Sequence, residues 1–268
     1  QTVSVTTTDN DVAGFTIAQS GGSTSVSEAG TTDTFTVVLN AQPSSDVVFS
    51  ISSGDTGEAT VTGTLTFTAA NWNSAQTITL TGVDDNIIDG SQTSTTTISI
   101  IDAITDDAFD GVADQTVSVT TTDNDVAGFT IAQTNGSTSV AETGTTDTFT
   151  VVLNAQPASN VVISITSGDT GEATVSPATL TFTSGNWNSA QTVTVSGVDD
   201  NLIDGTITST ITLSVVDGSS DNNFDPVADQ TVSATTTDND VAGFTIVQSG
   251  GSTSVAETGT TDTFTVVL

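Results

Sequence analysis

The sequence predicts an all-β chain built from tandem antiparallel β-sandwich domains, and three observations carry that expectation. First, the segment QTVSVTTTDNDVAGFTIAQ at Gln1 to Gln19 returns unchanged at Gln115 to Gln133 and nearly unchanged at Gln230 to Gln248, so the chain repeats after 114 and then 115 residues. That period is too long for a solenoid and suits one independent domain. Second, each repeat is a series of short Val, Ile, Thr and Phe runs separated by Gly, Pro, Asn and Asp, the punctuation of strands and turns. Third, no stretch carries the 3.6-residue apolar spacing of a helix, whereas Thr34-Phe35-Thr36-Val37 and Thr77-Ile78-Thr79-Leu80 alternate with the period of a half-buried strand.

Within the first full repeat these signals place strands at about 13–18 with 23–27, then 33–39, 46–52, 59–68, 75–82, 93–101 and 115–122. Counting the interrupted first strand once, there are seven in about 115 residues, which is the immunoglobulin-like sandwich pattern. The additional residue of the second repeat falls where VTGTLTF at Val61 to Phe67 becomes VSPATLTF at Val175 to Phe182, in a Gly/Pro bend that can absorb it. The last strand runs through Asp123-Asn124-Asp125 directly into the next AGFTI, so linkers are a few residues long. The expected division is residues 1–11 as the last strand of a preceding repeat, 12–125 and 126–240 as complete repeats, and 241–268 as the first strands of another.

Composition then narrows the chemistry. There is no Lys, Arg, His or Cys, and Asp plus Glu number 32, for a formal charge of −32. Nucleic acid and anionic membrane surfaces are bound through Lys and Arg, so both partners are excluded. Disulfide staples are absent, nucleophilic triads lack their base, and phosphate loops lack a helix to open. Paired carboxylates could hydrolyse glycosides, but here they recur in every repeat, which suits a structural module better than one catalytic cleft; no enzyme is expected. The apolar fraction of 34% is nevertheless sufficient for folding. With neither signal peptide nor transmembrane run in view, the chain reads as an interior window of a larger exported protein.

A parity argument places the carboxylates. If successive strands alternate in direction, the first, third and fifth loops and the exit of the seventh strand share one end, here termed the C-terminal pole. It collects Glu28 from VSEAG, Asp55 and Glu58 from SGDTGEA, Asp84, Asp85 and Asp89 from VDDNIIDG, and Asp123 and Asp125. The second repeat supplies Glu142, Asp169, Glu172, Asp199, Asp200, Asp204, Asp238 and Asp240. Two carboxylates ~4 Å apart repel by about 4 kcal/mol at an effective dielectric near 20, so such a cluster calls for a cation. Irregular loops rich in hard oxygen donors suit Ca2+; Mg2+ demands a tighter octahedron, and transition metals favour the His and Cys this chain lacks. A lone Asp in a loop is ordinarily a turn residue; convergence of four connections is what points to a site.

The motifs VSEAG, SGDTGEA, GTLTFTAANWNSAQTITLTGVDDNIIDG and the closing TTTDND resemble the Calx-beta family throughout each repeat. The resemblance implies an immunoglobulin-like sandwich that binds calcium at its C-terminal pole. By motif it carries the ligand role to Glu28 and Glu142, to Asp84 with Asp85 and Asp199 with Asp200, and to Asp123 with Asp125 and Asp238 with Asp240. The third loop departs from the family order, reading Gly54-Asp55-Thr56-Gly57-Glu58-Ala59, and the terminal run has Asn124 or Asn239 at its middle. The expected metal set adds Asp55, Asp89, Asp169 and Asp204 to the motif residues and leaves out Glu58 and Glu172.

Two features remain. The acidic sixth loop, with Asp102, Asp106, Asp107, Asp110 and Asp114, becomes VDGSSDNNFDPVAD in the second repeat, and is expected to be solvated. Trp72 and Trp187 in the matching NWNSAQ turns are expected to plug the core end. Together these readings make the chain a calcium-stiffened structural repeat of an extracellular or cell-surface stalk, adhesin or filament, and the family resemblance implies a bacterial source. The alternative is a calcium-dependent ligand- or glycan-binding adhesive array, with calcium sensing third. Expected partners are calcium ions, neighbouring repeats and other copies of the chain.

Overall fold

The computed structural model describes residues 1–268, and the chain divides into two compact units, Gln1–Val126 and Ala127–Leu268. The first unit holds nine strands: β1 Phe15–Gln19, β2 Thr24–Ser27, β3 Thr32–Leu39, β4 Val47–Ser53, β5 Ala59–Val61, β6 Thr64–Phe67, β7 Gln76–Gly82, β8 Gln92–Ile100 and β9 Gln115–Thr122. They form two facing sheets, ordered β1-β3-β7-β5 and β2-β9-β8-β4-β6. The second unit repeats them as β10 Phe129–Gln133, β11 Thr138–Ala141, β12 Thr146–Leu153, β13 Val161–Ser167, β14 Ala173–Ser176, β15 Thr179–Phe182, β16 Gln191–Gly197, β17 Ile207–Val215 and β18 Gln230–Thr237. A final pair, β19 Thr245–Gln248 and β20 Phe264–Val267, lies antiparallel. The chain is all-β, and no helix is long and apolar enough to cross a membrane.

Each domain's first strand changes sheets partway, as its interruption implies. Gly21 and Gly22, both at positive φ, make the break; β1 then pairs with β3, and β2 pairs in parallel with β9. First and last strands running parallel is what strict alternation over seven strands demands. One expectation is corrected: the strand at 59–68 is two strands, parted at Thr62-Gly63, of which β5 joins β7 and β6 joins β4 in the opposite sheet. The additional residue of the second repeat lies at this crossing, between β14 and β15.

The core follows the period-two pattern. Along β3, Phe35, Val37 and Leu39 are buried while the residues between them are less so. Phe15 of one sheet meets Phe49 of the other edge to face at 4.9 Å, and Phe49 meets Phe67 at 5.9 Å, the geometry aromatic rings prefer. Trp72 packs, half-buried, against this cluster, as expected for a plug.

Without Lys, the sheet edges must be closed by other means. The free-edge amides of β2 are taken by side chains: Asp33 Oδ2 accepts from Ser25 N at 2.8 Å, and Thr31 Oγ1 accepts from Ser27 N at 2.7 Å. Gln115 Nε2 donates to the Phe15 carbonyl of β1, and Gln76 Nε2 to the Thr66 carbonyl of β6. Asp147, Thr145, Gln230 and Gln191 repeat these bonds in the second domain.

The sixth loop corrects a second expectation. Asp102, Asp107 and Asp110 are exposed, but Asp106 is buried. Its Oδ2 accepts from Ser44 N, Ser44 Oγ and Ser45 N at 2.6, 2.7 and 2.8 Å, and its Oδ1 from Ala108 N. Asp221 does the same with Ser159 and Asn223. These donors, with the Ser44 hydroxyl first, hold the Asp106 carboxyl well below the usual carboxylate range. Here a carboxylate clasps two loops together at the pole opposite the acidic cluster.

Candidate metal centre

The C-terminal pole is assembled around a buried glutamate. Glu28 follows β2, is 1% exposed, and accepts a hydrogen bond at Oε2 from Asn124 N, 3.1 Å away on the segment after β9. Glu142 occupies the same place, 1% exposed, with Asn239 N at 3.0 Å. Each glutamate lies in two carboxylate groups whose oxygens fall within 4.8 Å of one another. In the first domain these are Glu28, Asp123 and Asp125, and Glu28, Glu58 and Asp85; in the second they are Glu142, Asp238 and Asp240, and Glu142, Glu172 and Asp204.

The loops that carry these groups are braced by the carboxylates themselves. Asp123 Oδ2 accepts from Gly90 N and its Oδ1 from Asp125 N, at 2.8 and 2.6 Å, tying the fifth loop to the terminal run. Asp238 ties Gly205 to Asp240 in the same way. Asp84 Oδ1 accepts from Asn124 Nδ2, and Asp199 Oδ1 from Asn239 Nδ2, so the asparagine in the terminal run is a strut between loops. Asp85 Oδ1 and Asp200 Oδ1 hold the turns at Ile87 N and Leu202 N.

Not every residue of the expected set is drawn in. Asp55 and Asp169 are exposed, outside both groups, and each accepts from the glycine two residues on, Gly57 N or Gly171 N, at 3.0 Å; they are turn residues of their own loops. Asp84 and Asp199 stand at the rim, and Asp89, exposed, lies close enough to raise the Glu28 carboxyl. Conversely, Glu58 and Glu172, left out of the set, sit inside it. A signal for them existed: Glu28 and Glu58 are the only glutamates of residues 12–125, as Glu142 and Glu172 are of 126–240. In a chain whose turns are made with Asp, a Glu has no local turn to hold.

The electrostatics are those of crowded, partly buried negative charge. Glu58 Oε2, Asp125 Oδ2, Glu172 Oε2 and Asp240 Oδ2 are buried with no hydrogen-bond partner. Burial, opposed by the Asn124 N–H and reinforced by Asp123, Asp85 and Asp89, pushes the Glu28 carboxyl up to about 7. Burial, joined by neighbouring carboxylates, also raises Glu58, Asp125, Glu172 and Asp240. An unpaired buried carboxylate is costly, and the chain has no basic side chain to relieve it. All-oxygen donors from loops fit a hard divalent cation such as calcium, and the residues that would hold one are Glu28 with Asp123 and Asp125, or Glu28 with Glu58 and Asp85.

These shifts set the pH behaviour of the metal-free chain. Folded, Glu28 keeps its proton to about 7, against an ordinary 4.5; between those values the folded state binds more protons than the unfolded, so stability falls as pH rises. Asp106, held low, acts oppositely and its stabilisation is lost as pH falls below about 4. In chelator, thermal melts are therefore expected to peak between about pH 4 and 5, and saturating calcium should move the optimum towards neutrality. A neutral optimum in chelator would contradict the buried-carboxylate account.

Architecture and site together define an all-β sandwich domain with an acidic pole. No family model matches the chain, and no curated protein does. Among solved structures, the calcium binding domain CBD12 of CALX1.1 is similar over 74% of this chain and 79% of its own, at 13% identity and a TM-score of 0.31. Domains 4 and 5 of the S-layer protein SbsC are similar over 85% of this chain and 99% of theirs, at 17% identity and a TM-score of 0.34. SbsC domains 1–6 cover 94% of this chain over 36% of their own length, at 17% identity and a TM-score of 0.35. Likeness this low identifies neither family nor function.

Proposed function

We propose that residues 12–125 and 126–240 are Calx-beta-like calcium-binding domains, and that the array is a calcium-stiffened structural repeat of an extracellular stalk, adhesin or filament. The observation that carries this reading is the recurrence, at matching positions of both domains, of buried and unpartnered carboxylate oxygens around Glu28 and Glu142 in a chain without Lys, Arg or His. Once these carboxylates have lost their protons, a cation supplied from outside is the remaining means of neutralising them. Calcium at millimolar concentration is a feature of extracellular fluids rather than cytosol, where sites of this kind would serve as fixed struts. Recurrence in each repeat favours a mechanical module over catalysis. The terminal run supplies the stiffening, because Asp123 and Asp125 immediately precede Val126 and a bound ion fixes that backbone.

Calorimetric titration of calcium tests the reading. Uptake by both domains is expected, and Asp84→Ala with Asp85→Ala should abolish or weaken uptake in the first by at least about tenfold, ~1.4 kcal/mol, while leaving the second unchanged. Loss of uptake in both domains, or in neither, would count against the assignment.

A further inference from the structure

We propose that the peptide bond between Asp225 and Pro226 is a site of self-cleavage, at which the Asp225 side chain cuts its own main chain and leaves the second domain nicked but assembled. The bond lies apart from the acidic cluster, in the sixth loop between β17 and β18.

The chain has four prolines, and of the residues that precede them, Gln42, Gln156, Ser176 and Asp225, one is acidic. An aspartate oxygen reaches its own backbone carbonyl carbon by closing a five-membered ring, so connectivity alone supplies the proximity that makes intramolecular attack effective. What differs from one aspartate to another is whether that oxygen is already occupied. In the same loop Asp221 is held, its Oδ2 accepting from Ser159 N and Oγ and its Oδ1 from Asn223 N. Asp225 is not so held at Oδ1, which is buried and has no hydrogen-bond partner. That oxygen has neither a hydrogen bond nor a hydration shell to give up before it attacks.

The main chain on both sides of the bond is fixed. Asp225 and Pro226 are the central residues of a turn closed by Val227 N, which donates to the Phe224 carbonyl at 3.0 Å; Phe224, fully buried, donates from its own N to the Asp221 carbonyl at 2.8 Å. The leaving group suits the attack, because the prolyl nitrogen carries no hydrogen and, belonging to a tertiary amide, accepts a proton more readily than an ordinary peptide nitrogen. An Asp225 carboxylate oxygen adds to the Asp225 carbonyl carbon, the bond to Pro226 N breaks, and that nitrogen keeps the electron pair and takes a proton from solvent. Water then opens the cyclic anhydride, so that one peptide bond and one water become a carboxyl end at Asp225 and an amino end at Pro226. The first domain makes the same turn, closed by Val112 N on the Phe109 carbonyl at 3.0 Å, around Asp110 and Gly111. Its leaving nitrogen is an ordinary one, and no cut is expected there.

A cut at Asp225 separates two strands that stay paired. β18 is bonded to β17 along Ile207–Leu213 and to β11 along Thr138–Ala141, and its Val232 and Ala234 are buried in the core. The nicked domain therefore keeps its fold, but a load along the chain then passes through strand pairing instead of the main chain, and residues 226–268 can be pulled free.

Mass spectrometry tests this on the 268-residue chain held for days in chelator between about pH 4 and 5, where the metal-free fold is expected to be most stable. Fragments 1–225 and 226–268, together one water heavier than the intact chain, are expected after denaturation, while gel filtration of the undenatured sample should show one species. In guanidinium chloride at the same pH the cut should be at least about fivefold slower, because unfolding hydrates the carboxylate and frees the turn. Pro226→Gly, which matches the turn of the first domain and should melt near the unaltered chain, and Asp225→Glu, which enlarges the ring, should each slow it at least about tenfold. A folded chain that stays intact, or either variant cut as fast as the unaltered chain, overturns self-cleavage at this bond. A cut as fast in guanidinium as in buffer reduces it to the lability of any Asp-Pro bond and overturns the part assigned to the fold.

Discussion

Calcium is expected to raise the melting temperature of this chain by on the order of 10 °C or more, and chelator to return it. A ligand that binds only the folded state stabilises by RT ln(1 + [L]/Kd), about 2.7 kcal/mol per site at a hundredfold excess over Kd. For a domain of roughly 100 residues each kcal/mol moves the midpoint by about 4–8 °C. Repulsion among the carboxylates of the pole, Glu28 with the half-buried Asp123 and Asp125 among them, enters this figure through Kd: its relief on binding lowers Kd most at low ionic strength, so a given calcium concentration stabilises more there. Monovalent salt screens exposed charge but reaches buried pairs poorly, so sodium chloride should recover only part of the effect, and magnesium less than calcium. Melts followed at fixed ionic strength, in calcium and in excess chelator, check this. Coincident curves would remove the metal centre from the account altogether.

Much of the fold was legible because it depends on local punctuation and a period of two. Strand positions, the interrupted first strand and the burial of alternate residues in β3 were all readable from where Thr alternates with Phe, Ile and Val. The convergence of four connections at one pole was readable too, since parity needs only a strand count. What could not be read is whatever depends on a partner distant in sequence. Residues 1–8 are identical to 115–122, yet only the latter form a strand, because β9 has β2 and β8 beside it. The split at Thr62-Gly63 depends on which sheet each half finds. At the site, local sequence does not distinguish a carboxylate that closes its own turn, as Asp55 does, from one that reaches the pole, as Glu58 does. Nor does it show that Asp106, one of five acidic residues in a variable loop, is the buried one. Residue type was the unused clue: the longer Glu goes where reach is needed, and Asp where a turn must be capped.

The positions of Glu28 and Asp85 depend on a close approach of backbones, and breaking it is expected to have the second large effect. Gly82 ends β7, and a Cβ built on it would lie 2.0 Å from the carbonyl oxygen of Ser27 and 2.7 Å from its carbonyl carbon. Ser27 immediately precedes Glu28, and Gly82 stands three residues before Asp85, so this contact sets two carboxylates of the pole at once. Gly197 approaches Ala141 in the same way, at 2.1 Å, ahead of Glu142. No side chain can turn aside, because the obstacle is main chain. Gly82→Ala must therefore push the ends of β2 and β7 apart, which costs about 1–3 kcal/mol or more as overpacking does, with the Gly82 N to Thr31 O bond of 3.0 Å strained in addition. The same displacement should widen the group of Glu28, Glu58 and Asp85 and weaken calcium uptake by the first domain at least about tenfold, ~1.4 kcal/mol. The second domain should be untouched, so the melt in chelator should become biphasic. Gly63→Ala, whose Cβ would meet nothing within 4 Å, is the matched control and should leave both properties near those of the unaltered chain. If Gly82→Ala melts and binds calcium as the unaltered chain does, the contact between Ser27 and Gly82 is not what aligns the pole.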